Sequence, residues 1–153
     1  MILSLRPLGK KQARINETLE DYWRTLKGDK PMPYEKDIKP ESIAGIWDSC
    51  FLISIVPEEN PRLKYSYLGQ NLIEAYGDDL ANKEVCEVLV YPTNDHLREK
   101  FEEVERTGAP TNEAGEFVNK NGAKVKYRSV LLPLAHDDGT VGFILGGMKW
   151  KMF

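Results

Sequence analysis

The segment 62-RLKYSYLGQNLIEAYG-77 changes from one hydrophobic period to another at its middle. Apolar and polar residues alternate up to Gly69, which is the period of a β-strand with one exposed face. The run 70-QNLIEAY-76 then favours a short helix, and Gly77 is a typical residue for ending one. The segment therefore predicts a strand that passes through a glycine turn directly into a helix.

The flanking sequence predicts more strands. Upstream, 50-CFLISIV-56 is apolar at successive positions, which is typical of a strand covered on both faces, and the turn 57-PEENP-61 joins it to the next strand as a hairpin. Downstream, three further strands are expected at about 111–119, 123–134 and 140–150. Asn121-Gly122 predicts a type I′ turn between the first two of these.

Two long helices are expected around these strands. The first covers about Lys10 to Lys27 and carries apolar residues at the spacing of one helical face. An extended crossing at 29–38 and a short helix at 40–47 follow it. The second long helix is 93-TNDHLREKFEEVERTG-108, with an apolar stripe and a terminal glycine. Strands at both ends of a helical middle indicate an α+β domain with one antiparallel sheet.

The composition is that of one folded domain, since the 153 residues are 41% hydrophobic and 29% charged. A net charge of −3 argues against a general nucleic-acid binder. Cys50 and Cys86 lie in apolar runs, which favours core thiols in a reducing compartment. The N-terminus has the wrong charge order for a secretory signal, and no apolar run reaches the roughly 18 residues of a membrane span. We therefore expect a cytoplasmic protein.

Motifs for catalysis and metal binding are absent from the sequence. The glycines form neither a G-x-x-x-x-G-K-[ST] loop nor a G-x-G-x-x-G fingerprint. His96 and His136 lie in different elements without metal-ligand spacing, and the acidic pairs fall in turns, where carboxylates are normally solvated. No serine lies in a nucleophile elbow. We expect no catalytic residue, no metal site and no enzyme activity.

The order of two strands, a helical segment, a long helix and three strands is that of a PAS domain. The chain resembles this family over nearly its whole length, and specifically it looks like the stand-alone PAS-like proteins of alphaproteobacteria. Those proteins share a helix bearing a tryptophan, a proline-containing crossing and a D-x-x-P segment, which match Trp23, 31-PMP-33 and 37-DIKP-40. In this comparison 77–83 is the glycine-containing turn and 84-EVCEVL-89 is a second short helix.

The resemblance implies a five-stranded antiparallel sheet with helices packed on one face, plus the N-terminal amphipathic helix. Residues 1–47 would be a helical flank and crossing segment, and 48–153 the PAS-like domain. One PAS branch binds flavin next to a cysteine in the second short helix. Cys86 is displaced from that position by one residue, which rotates a helical side chain by about 100°. A flavin sensor is therefore less favoured. A haem sensor is less favoured because His96 precedes the apolar stripe of its helix by one residue, where a surface or boundary histidine is commoner than an iron ligand. We expect no cofactor.

A PAS fold encloses a space that either holds a ligand or is filled by side chains. Both alternatives are open on the sequence alone, because aromatic side chains can line a cavity or fill it. The candidate cavity residues are Tyr65, Tyr67, Phe101, Tyr127 and Phe143.

The apolar stripe of the N-terminal helix also has two alternatives. It covers the sheet of its own domain, or it pairs with a second subunit, as flanking helices of PAS domains often do. We favour a homodimer, since only the crossing at 29–38 ties this helix to the domain. The candidate interface residues are Ile15, Leu19, Tyr22, Trp23 and Leu26.

The leading expectation is a bacterial sensory or adaptor domain that acts in signal transduction through a partner protein and is modulated by a small ligand. The alternative is a small-molecule binding module, for example for a nucleotide second messenger, in which basic strand residues contact phosphates. Those basic residues are Arg62, Lys64, Lys124, Lys126 and Arg128, although their alternation favours a solvated strand face.

Overall fold

The computed structural model describes residues 2–59, 62–81, 83 and 95–153, and for 2–13 and 95–98 it describes the helical backbone alone. The helices are α1 (Ile2–Lys27), α2 (Ala44–Trp47), α3 (Gln70–Tyr76) and α4 (Asp95–Thr107). The strands are β1 (Cys50–Ile55), β2 (Leu63–Leu68), β3 (Thr111–Val118), β4 (Lys124–Ala135) and β5 (Val141–Met152). The short helix expected at 84–89 lies outside the described residues.

The five strands form one sheet in the order β2-β1-β5-β4-β3, and every neighbouring pair is antiparallel. The hairpin of β1 and β2 and the run of three strands β3 to β5 confirm the elements expected from the sequence. The α+β class and the five-stranded antiparallel sheet are confirmed with them. Within the described part of the chain, no helix combines the length and the apolar composition needed to cross a membrane.

The sheet is covered on both faces. On the inner face, α3 and α4 pack over one hydrophobic core, and on the outer face α1 packs over a second. Successive residues of β1 enter alternate cores, as its apolar sequence predicts. The fully buried residues of the outer core are Leu19, Trp23, Cys50, Val130, Leu132, Leu134 and Leu145.

A close approach at Gly147 allows α1 to lie against the outer face. A Cβ at this position would lie 3.0 Å from Leu19 Cδ2 and 3.3 Å from Ile15 Cγ2. The Trp23 indole Nε1 donates a hydrogen bond of 2.8 Å to the carbonyl oxygen of Pro133. The second half of α1 is thus fixed to β4 and β5 of its own chain.

The turn between β3 and β4 differs from the expected type I′ turn. Asn119 N donates to Ala123 O at 2.8 Å and Gly122 N donates to Asn119 O at 3.0 Å, with a φ of 86° at Gly122. These bonds enclose a three-residue loop at 120–122. The cause is the buried Asn119 side chain, whose Oδ1 accepts from Asn121 N and Ala123 N while its Nδ2 donates to Ala75 O of α3.

Candidate functional site

The inner face contains a small cavity between the sheet and the helices α3 and α4. Its volume is about 10 Å³, which is room for a single water molecule and no organic ligand. Its lining is mostly aromatic and consists of Phe51, Tyr65, Tyr76, Phe101, Glu113, Tyr127, Ser129 and Leu131. Three of the five aromatic residues expected at the cavity therefore lie there together.

A continuous series of ring contacts fills this interior. Phe51 meets Tyr65 edge to face with the ring centroids 5.9 Å apart, and Tyr65 lies 6.4 Å from Tyr76. Tyr76 stacks on Phe117 at 5.0 Å, and Phe117 lies 5.7 Å from Tyr127. These separations are those of favourable aromatic pairs. Among the described residues, these rings fill the space between the sheet and the helices α3 and α4.

Tyr67, expected at the cavity, lies instead on the outer face. Strict alternation along β2 would place Tyr65 and Tyr67 on the same face of the sheet. In the structure Tyr65 pairs with Ile53 and Tyr67 pairs with Leu52, so the register shifts by one residue between them. Ser66 is the extra residue of this bulge, and the bulge reverses the face of every later side chain. Tyr67 accordingly joins the outer core and stacks on the Trp47 ring, with the centroids 4.4 Å apart.

Phe143 is also on the outer face, so its assignment to the cavity is corrected as well. It has the parity of Leu145 on β5 and packs against the outer core. Its ring lies 5.0 Å from the exposed His136 ring. The buried inward residues of this strand are Ile144 and Met148. Val141 also packs on the inner core although it has the parity of Phe143, because the register shift at Gly142 reverses the faces.

Glu113 is the charged residue among the cavity-lining residues that the sequence prediction missed. It is 3% exposed and faces Ser129 across the pair of β3 and β4. Burial, followed by the negative charge of Glu113, raises the pKa of Tyr127 well above its usual range. Burial likewise raises the pKa of Tyr76 to about 12. One corner of the aromatic interior is therefore polar, and its phenols stay protonated at neutral pH.

The residues proposed for a dimer interface have mixed surroundings. Ile15, Leu19 and Trp23 are buried against the sheet of their own chain. Tyr22 and Leu26 are half-buried. The Tyr22 hydroxyl accepts a hydrogen bond of 2.8 Å from Lys39 N, which connects α1 to the segment before α2.

The basic residues of the strands fall into two groups. Arg62 pairs with Glu105 at 2.5 Å and Lys64 with Glu59 at 2.8 Å, so both are neutralised locally. Lys124, Lys126 and Arg128 lie on the outer face of β4, away from Arg62 and Lys64. The structure does not bring all five together into one phosphate site.

The described residues contain no group of three or more His, Cys, Asp or Glu side chains able to hold a metal ion. Cys50 is a buried free thiol whose pKa is raised to about 12, chiefly by burial and secondly by the charge of Asp48. Cys86 and the His96 side chain lie outside the described part. Reactive-thiol chemistry at Cys50 is thus disfavoured by its environment.

Comparison with known proteins gives the family. The sequence profile described as PAS domain matches residues 11–149. A search of curated proteins found no match.

Solved structures share the fold at low sequence identity. One described as "Flavin Analogue Sheds Light on Light-Oxygen-Voltage Domain Mechanism" matches with a TM-score of 0.57 and 19% identity, over 71% of this chain and 80% of the other. The PAS domain of the fruit-fly ELK potassium channel matches with a TM-score of 0.54 and 18% identity, over 73% and 96%. The Rhodobacter sphaeroides LOV protein matches with a TM-score of 0.54 and 11% identity, over 65% and 56%.

Proposed function

Since this chain belongs to the PAS domain family, whose members are generally sensory and non-catalytic, we propose that it is a signalling adaptor. In this role it acts through contact with a partner protein. In this proposal the part of its interior formed by the described residues is filled by their own side chains, and no resident cofactor is needed. We also propose a cytoplasmic location in bacteria, which the buried free thiol of Cys50 supports because such thiols are typical of reducing compartments.

The observation that carries this proposal is the size of the interior. A drug-sized ligand needs a pocket of about 300 to 1,000 Å³, whereas the space among the described inner residues is about 10 Å³. The rings of Tyr65, Phe101 and Tyr127 occupy that region. A binding event on the surface is therefore a better explanation of function than one in the core.

Flavin and haem are the cofactors that deserve a direct test. One structure with the same fold concerns a flavin analogue and the light-oxygen-voltage domain mechanism, but at 19% identity it supports the fold alone. The small interior argues against either cofactor here. The alternative function, a small-molecule binding module for a nucleotide second messenger, is weakened because Arg62 and Lys64 already have acidic partners.

A thermal-unfolding panel tests the filled interior. The purified protein is melted alone and with an excess of flavin mononucleotide, haem or a cyclic dinucleotide. A ligand at about 100 times its Kd stabilises a protein by about 2.7 kcal/mol, which is easily seen as a shift in Tm. We expect no shift with any of the three. A reproducible rise with one of them would replace the adaptor role with a binding or cofactor role.

We place the interface of the proposed homodimer at the edge of the apolar stripe of α1, because the centre of that stripe already packs on the sheet of the same chain. Tyr22 and Leu26 are the half-buried members of the stripe. We expect Leu26→Glu to convert a dimer to a monomer in sedimentation velocity, while Thr25→Glu, an exposed neighbour, leaves it unchanged. A monomeric wild-type protein, or a Leu26→Glu protein that stays dimeric, would contradict this interface.

A further inference from the structure

Five cations lie on one side of β4 and β5. The alternation of buried and exposed residues on β4 directs Lys124, Lys126 and Arg128 to the outer face, since Val125 and Tyr127 enter the inner core. On β5, Lys149 and Lys151 have the parity of Gly147, which lies under α1. These five residues are called the basic face below.

The cations of the basic face oppose one another across the sheet. Lys126 pairs in register with Lys151, and Arg128 pairs with Lys149. Like charges placed directly opposite each other destabilise a sheet. On its other side Lys126 pairs in register with Glu116 of β3, and Glu116 also reaches Lys124 at 4.0 Å. In the described part of the chain, Lys126, Arg128 and Lys151 have no carboxylate within 4.0 Å. The face thus has five cations and, in register with them on β3, the single carboxylate of Glu116, so an acidic partner would reduce the repulsion that remains.

A groove of about 260 Å³ continues the basic face toward α1. Its lining contains the two cations Arg128 and Lys149, the two carboxylates Glu17 and Glu113, and Asn16, Asn112, Ala114 and Ser129. The α1 backbone forms a wall along one side, because this helix packs directly on β5. The cations at this end are therefore recessed beside a helix with a diameter of about 10 Å.

We propose that the basic face binds an extended acidic segment of a partner protein, with acidic side chains at alternate positions. This inference rests on the adaptor role proposed above and names the surface and partner chemistry for it. Alternate residues of an extended chain are about 6.6 to 6.8 Å apart, which is the spacing of Lys124, Lys126 and Arg128 along β4. Each carboxylate can then lie opposite one cation.

A polypeptide fits this surface better than a bilayer or a nucleic acid does. A flat bilayer would meet the wall of α1 before it reached Arg128 and Lys149 at the groove. The exposed Phe153 ring lies 5.2 Å from Lys126 Nζ and 5.6 Å from Lys151 Nζ, so cation–π contacts hold it on the sheet. Single-stranded nucleic acid usually stacks on several aromatic rings, and Phe153 is the one large exposed ring among the described residues.

Fluorescence anisotropy tests the proposal with a fluorescein-labelled peptide of about ten residues in which glutamate and threonine alternate. The full chain should bind this peptide at low salt, and binding should weaken as salt screens the charges. The combined variant Lys126→Gln, Arg128→Gln and Lys151→Gln should lose at least about tenfold in affinity. A matched variant with the same charge change, Lys36→Gln, Lys39→Gln and Arg106→Gln, should stay within about twofold.

Melting curves of the same variants show whether a loss of peptide affinity comes from the removed charges or from unfolding of the protein. The basic-face variant loses like-charge repulsion but also the pair of Lys126 with Glu116 and two cation–π contacts to Phe153, so its Tm should stay close to that of the wild type. Unchanged peptide affinity in this variant would overturn the proposal, as would equal losses in both variants. Tighter binding to phosphatidylserine vesicles or to oligo-dT than to the peptide would overturn it in favour of a membrane or nucleic-acid surface. Failure here leaves the filled-interior adaptor in place, since the ligand panel tests that separately.

Discussion

Replacing Phe101 tests whether the interior is closed by side chains. Phe101 on α4 is 2% exposed and lines the cavity of about 10 Å³. A buried aromatic residue removes about 150 to 250 Å² from water. At about 25 cal/mol per Å², that area corresponds to about 4 to 6 kcal/mol. Since alanine retains part of it, we expect Phe101→Ala to lower the free energy of unfolding by about 3–5 kcal/mol.

Urea unfolding followed by circular dichroism gives this free energy. Phe153→Ala is a matched control, because it removes the same ring from a position that is 62% exposed, and it should change stability by less than about 1 kcal/mol. The truncation should also create an apolar cavity that binds benzene, so benzene should raise the free energy of unfolding of the Phe101→Ala protein. If Phe101→Ala does not fold, Phe101→Leu gives a smaller loss of the same sign. Equal costs at both positions, or stabilisation of the wild type by benzene, would refute a filled interior.

Three further predictions concern individual contacts. The pKa of Asp78 is lowered to about 2 by hydrogen bonds from two lysines, so its contribution to stability exists above its ordinary pKa and disappears as the pH falls through about 2. Asp78→Asn should therefore lower Tm at neutral pH but not at pH values below about 2. A Cβ at Gly146 would collide with the Phe51 ring, so Gly146→Ala should cost about 1–3 kcal/mol in urea unfolding, whereas Gly45→Ala, with open space around it, should not destabilise. In a Cys86→Ser protein, Cys50 should resist thiol reagents until the protein is unfolded, and rapid labelling of the native state would contradict its burial.

The sequence predicts the architecture well because local signals agree with each other. The strand alternation, the short helix ended by Gly77 and the helix ended by Gly108 all recur in the structure, with φ values of 76° and 64° at the two glycines. When the hydrophobic period and the residue that ends the segment agree, a single sequence is enough to predict whether the segment is a helix or a strand.

Which side chains face the cavity is harder to predict from the sequence, because it depends on the register between neighbouring strands. The bulge at Ser66 reverses the face of Tyr67, and nothing in the alternation of β2 reveals it. The burial of Glu113 could have been predicted, since Glu113 lies on the same face of β3 as the buried Thr111 and Phe117. Glutamate is nevertheless rarely buried in proteins, so the residue type alone predicts a solvent-exposed side chain.

The basic face also needed the structure. Lys124, Lys126 and Arg128 follow a simple alternation that is typical of a solvated strand. Their opposition to Lys149 and Lys151 arises from the long pairing of β4 with β5, which begins at Val125 and Met152. The sequence contains the charges, but only the register shows that like charges face one another.

Native mass spectrometry of the protein purified from its own cells, combined with an absorption spectrum, tests the central claim most directly. The claim is that the interior holds side chains and that the protein acts through surface contacts. We predict masses equal to the sequence or to its oligomers and no absorption in the visible range. An additional mass that stays with the folded protein and is lost on unfolding, or a visible absorption band, would contradict the account.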